Sequence, residues 1–71
     1  MINQSFKVKD FKNGETYGFH LISKNTWILK RWGYELKMTQ KEVESNYKYF
    51  TTLWVDYDVT LLEKGNTVEA V

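Results

Sequence analysis

A nucleophilic site needs a nucleophile, a base and a group that orients the base. This chain has no cysteine and one imidazole, His20, and its serines, Ser5, Ser23 and Ser45, fall in terminal, turn or short-helix positions. Alternation sets His20 opposite Tyr17, Phe19 and Leu21, on the solvent side of its strand. No catalytic residue is expected, and the chain reads as non-enzymatic. Asp56 and Asp58 stand two apart in an alternating run, which would aim both carboxylates to one side as an acidic face. A hard cation wants several more oxygens than that pair offers. The simpler reading is a solvated strand, or an edge blunted by charge against aggregation. A zinc knuckle is excluded by the missing cysteines. Gly14, Gly18, Gly33 and Gly65 are too scattered to form a phosphate-cradling loop. Neither a metal nor a cofactor is expected.

The residues with the most to offer are aromatic and basic: Trp27, Lys30, Arg31, Trp32, Tyr34 and Lys37, with Trp54 further along. Exposed rings could stack on bases while the cations follow a phosphate backbone, stacking being worth ~1–3 kcal/mol per base. Trp and Arg are also the residues that dominate protein interfaces. Trp27, Lys30, Arg31, Tyr34, Lys37 and Trp54 are the candidate binding residues. On strand alternation Ile28, Trp32, Tyr34, Leu36 and Met38 share one face, Trp27, Leu29, Arg31, Glu35 and Lys37 the other. That parity predicts a core Trp32, with one of Trp27 and Trp54 partly exposed.

Period-two alternation dominates the elements that must position these side chains. Phe6 and Val8 against Lys7 and Lys9 predict a strand over 5–11, and Tyr17, Phe19 and Leu21 one over 15–22. Asn13-Gly14 between them is a hairpin signal, since both residues tolerate positive φ. Ser23-Lys24-Asn25-Thr26 and Lys64-Gly65-Asn66 read as further turns. A long strand over 26–38 follows, with Gly33 marking a bulge or sharp bend. Thr39-Gln40-Lys41-Glu42 has the form of a capping box. It opens a short helix near 40–46 that ends at Asn46, or runs to Phe50 if Val43, Tyr47 and Phe50 form one stripe. Alternation from Tyr49 onward predicts a strand over 49–62, and a last one over 66–71. The order is β-β-β-α-β-β, a mainly β, small α+β fold. Two architectures suit it: a five-stranded bent antiparallel sheet, or a partly open small barrel with the element order of an OB-fold.

With 71 residues the chain has room for one domain, 1–71, and a chain this short buries only ~60% of its unfolded surface. Disulfides cannot reinforce it, so three Trp, five Tyr and four Phe must. There is no signal-like N-terminus and no apolar stretch of membrane length, which makes the cytoplasm the default location. Net charge is +1, yet nine of the ten basic residues fall within 1–50 and four of the nine acids within 51–71. Near-neutral charge weighs against a nucleic-acid binder, which normally needs a clear basic surface. Surplus aromatics without catalytic groups favour a small protein-binding module. The Lys, Asn, Tyr, Phe and Ile bias is similar to that of accessory proteins of phages and other mobile elements. That likeness implies a larger host protein, such as a defence nuclease, as the partner that is bound and inhibited or modulated. An OB-like single-stranded nucleic-acid binder and a homodimer are the alternatives.

Overall fold

The computed structural model describes residues 2–62. Strands β1 (Phe6–Asp10), β2 (Thr16–Ser23), β3 (Thr26–Arg31) and β4 (Tyr34–Thr39) form a meander, followed by helix α1 (Gln40–Thr52) and strand β5 (Tyr57–Leu61). The five strands make one open antiparallel sheet in the order β4-β3-β2-β1-β5. The fold is the expected mainly β class with a single helix. Since β4 and β5 form opposite edges, the sheet is open rather than closed into a barrel.

The first hairpin forms as its sequence dictates, although its loop is longer than a two-residue turn. Asp10 N donates to Glu15 O at 2.9 Å, leaving Phe11, Lys12, Asn13 and Gly14 outside the ladder. Asp10 Oδ1 accepts from Lys12 N and Asn13 Oδ1 from Glu15 N, so two short polar side chains take up backbone donors. Asn25, at φ 60°, turns β2 into β3.

The segment 26–38 is not one strand. Arg31 pairs directly with Tyr34, and Trp32-Gly33 is a two-residue hairpin turn with Gly33 at φ 85°. Counted as one bent unit, 26–38 keeps the expected element order; the bend is a full reversal, so four strands precede the helix. The reversal also changes which residues share a face. A two-residue turn opposes odd positions of one strand to even positions of the next, so Trp27 and Leu29 join Met38 and Leu36. Trp27 is therefore wholly buried, whereas Trp32, expected in the core, sits on the turn and is 74% exposed.

The helix passes Asn46 and ends at Thr52. The capping box forms as written: Thr39 Oγ1 accepts from Glu42 N, and Glu42 Oε1 accepts from Thr39 N. Asn46 does not terminate the helix; it lies within it, and its side-chain amide donates back to Glu42 O. Val43, Tyr47 and Phe50 form the stripe that carries the helix onward across the sheet. Consequently the strand expected over 49–62 is confined to Tyr57–Leu61. A sheet with one apolar face needs a second layer, and only the helical arrangement of 43–50 supplies it. The strand expected over 66–71 lies outside the described residues.

The core lies between helix and sheet and consists of Phe6, Val8, Phe19, Trp27, Met38, Val43 and Phe50. Phe6 stacks on Phe19 at 4.7 Å and meets Trp27 and Tyr47 edge-on. Burying a large apolar side chain contributes ~1.5–3 kcal/mol, so this aromatic cluster does for a small chain what disulfides would otherwise do. No described helix is long and apolar enough to cross a membrane.

Candidate functional site

Strand directions place three connections at one end of the molecule: the β1–β2 loop, the Trp32-Gly33 turn and the 53–56 turn between α1 and β5. Of the nine large apolar side chains that are substantially exposed among the described residues, six lie at or within a helical turn of this end: Phe11, Trp32, Tyr34, Tyr49, Trp54 and Val55. Such clustering is what separates a patch from ordinary scattered exposure. Phe11 N donates to Asp56 O at 3.0 Å, which ties the β1–β2 loop to the turn bearing Trp54 and Val55. Trp54 and Trp32 are each 74% exposed. Three to four strand spacings, roughly 15–19 Å, separate their elements. Beside Trp54 a shallow cleft of about 300 Å³ is lined by Phe50, Thr51, Tyr57, Asp58 and Val59.

Between the two tryptophans the surface is polar and tightly held. Arg31 Nη2 lies 2.8 Å from Glu15 Oε2, and Tyr17 Oη donates to the same oxygen at 3.2 Å. The guanidinium sits 4.3 Å above the Tyr17 ring, and its Nη1 reaches Tyr34 Oη at 3.3 Å. Burial pushes the Tyr17 hydroxyl above its ordinary value; Arg31 works against this and the bond to Glu15 reinforces it. Tyr17 is thus a protonated donor across the neutral range. Burial disfavours the charge on Arg31, but its bonds to Glu15 and Tyr34 outweigh this and hold the guanidinium pKa above its usual value. This arrangement holds Arg31, Tyr17 and Tyr34 against one another around Glu15.

The six candidate binding residues do not form one surface. Trp27 is in the core, its indole bonded to Gln40, and offers no ring to a ligand. Arg31 and Tyr34 lie at the end just described, on the side of the sheet that carries the helix, and Trp54 lies across that end. Lys30 and Lys37 point to the opposite side of the sheet, because each alternates with the core-facing Leu29 and Leu36. The exposed rings at the turn-bearing end are therefore separated from Lys30 and Lys37, and Arg31 is the candidate cation that stays with them. Asp56 and Asp58 also separate. Asp56 belongs to the turn before β5, while Asp58 lies in β5 opposite Lys9. Among the described residues no three acidic or imidazole side chains gather as a metal site would require. His20 lies on the helix-free side of the sheet, and its buried Nδ1 has no hydrogen-bond partner.

Sequence pattern does not single out Phe11 or Val55, and it sets Trp32 in the core. The three sit in connections far apart along the chain, and only strand direction brings them to one end. Comparison with family models, curated proteins and solved structures finds no match.

Proposed function

We propose that this protein is a non-enzymatic binding module that docks on a larger protein through its turn-bearing end. The observation that carries this reading is the convergence of Phe11, Trp32, Tyr34, Trp54 and Val55 from three connections onto one end of a rigid sheet. Loops on a rigid scaffold are the usual place for recognition residues. An exposed Trp32 next to the fixed Arg31, with an exposed Trp54 across the same end, matches the composition of interface anchors. In this reading the module belongs to a phage or mobile element, and its target is a host protein such as a defence nuclease. Single-stranded nucleic acid receives less support, since Trp27 is buried and the remaining rings lie apart from Lys30 and Lys37.

The test compares wild type with the Trp32→Ser/Trp54→Ser double variant, after circular dichroism has shown both to be folded. Tagged wild type should retain a stoichiometric protein partner from host lysate, and the variant should lose it. Retention of the same partner by both proteins, or of none by either, removes the reading. Sedimentation of the purified protein separates a foreign partner from a second copy of this chain.

A further inference from the structure

The side of the sheet that faces away from α1 carries no second layer among the described residues. The ladder pairings place Lys7 and Lys9 of β1, Lys30 of β3 and Lys37 of β4 on it, with Thr16, Gly18, His20 and Ile28 between them. Lys7 and Lys30 both pair with Gly18, which has no side chain to part them. Their backbones are thus about two strand spacings, roughly 10 Å, apart, and Lys7 and Lys9 are about 7 Å apart along β1. The only ion pair among the described residues is Arg31–Glu15, so no described carboxylate lies within ion-pair distance of these four lysines. Acidic side chains appear only on the two outer strands: Glu35 opposite Lys30 on β4, and Asp58 opposite Lys9 on β5.

We infer that this layerless face is a second docking surface, and that its occupant is an acidic segment of a partner protein. Charge complementarity selects an anion, and three features select a peptide among anions. The face carries no Trp, Tyr or Phe in its ladder positions and only His20 as a ring, so a row of unpaired bases finds no series of stacking platforms. Glu35 and Asp58 bracket the lysines, so a broad polyphosphate would set its phosphates against both carboxylates. A narrow segment bearing Asp or Glu meets Lys7, Lys9 and Lys30 over the inner strands and Lys37 on the edge strand β4, and Ile28 offers it apolar contact. The surface is separate from the turn-bearing end and does not depend on the reading given above.

The probe is a decamer of glutamate titrated into the isotope-labelled protein at low salt, with amide shifts followed by NMR. Shifts should centre on Lys7, Gly18 and Lys30 and fade as salt is added. The Lys7→Glu/Lys30→Glu variant should bind roughly tenfold or more weakly. Trp32→Ser/Trp54→Ser should bind as wild type does. If the charge-reversed protein fails to fold, Lys9→Gln/Lys37→Gln replaces it, with weakened binding still expected. Absence of shifts on this face, shifts confined to the Trp54 end, or tighter binding of a thymidine oligonucleotide at the same amides would each overturn the inference.

Discussion

Trp27 Nε1 donates a 2.6 Å hydrogen bond to Oε1 of Gln40, joining the middle of the sheet to the first turn of the helix. Gln40 Nε2 in turn donates to Ile2 O at 2.6 Å and to Glu44 Oε2 at 3.0 Å, and Ile2 N donates to the same Glu44 oxygen. One amide therefore orients the largest core side chain and fastens the N-terminal segment.

Gln40→Ala should destabilise the protein by about 1–3 kcal/mol, because it strands the indole N–H and frees Ile2 O together. The same substitution should cost less in a Trp27→Phe background, where the indole donor is already gone. Urea denaturation of the four proteins in this cycle measures the coupling; an additive result would mean the bond contributes nothing.

Acid should weaken the fold through Glu44. Its bond from Gln40 lowers its carboxyl pKa, with the bond from Ile2 N adding to the effect and burial opposing it. A carboxyl held lower in the folded chain than in the unfolded chain contributes fully above the ordinary carboxylate range, and the contribution is lost as pH falls through the folded value. Urea midpoints should therefore drop between neutral and strongly acidic pH, and the Glu44→Gln variant should show a shallower drop.

Thr39→Ala should cost about 0.5–2 kcal/mol, since it removes the N-cap acceptor for Glu42 N. Thr39→Ser should keep most of that stability. Thermal melts of the two variants decide it, and equal losses would deny the cap its role.

At Gly33 a new Cβ would meet open space, so only the backbone conformation at φ 85° resists substitution. Gly33→Val should destabilise by about 1–2 kcal/mol or more, and Gly33→Asn by visibly less, because Asn visits the left-handed region more readily. Denaturation midpoints that rank the two variants the other way would contradict the assigned turn.

Trp27 should emit at short wavelength and resist iodide, whereas Trp32 and Trp54 should be quenched readily. Variants that keep one tryptophan each, the others replaced by Phe, separate the three signals. Ready quenching of Trp27 would contradict its complete burial.

Much of this architecture is legible in the residues, and the failures have identifiable causes. β1, β2 and the capping box at Thr39 each rest on signals with one physical interpretation: strict alternation, turn chemistry, and a reciprocal pair of short-range bonds. Trp32 lies outside its expected core position because a two-residue turn shifts the alternation by one, and Gly33 alone does not distinguish a bend from a reversal. From Tyr47 to Leu53 the chain fits both periods, since aromatics recur at even spacing and also along a helical stripe. The need for a layer over Phe6, Phe19 and Trp27 decides for the helix, and that need is a property of the whole sheet. The turn-bearing end is the least legible feature, since Phe11, Trp32 and Val55 are brought to one end only by strand direction.

β1 is the earliest strand in the chain, yet it lies inside the sheet, between β2 and β5. A ribosome releasing this chain delivers the four-strand meander as a run of local hairpins, each able to close as soon as it emerges. The far side of β1 must wait, because Phe6 finds its second partner only in Leu61. That pairing closes almost the whole described chain into a ring and is the slowest to repay its entropy. The seam between β1 and β5 is therefore where assembly ends, and where a nascent or truncated chain stays open to a neighbour.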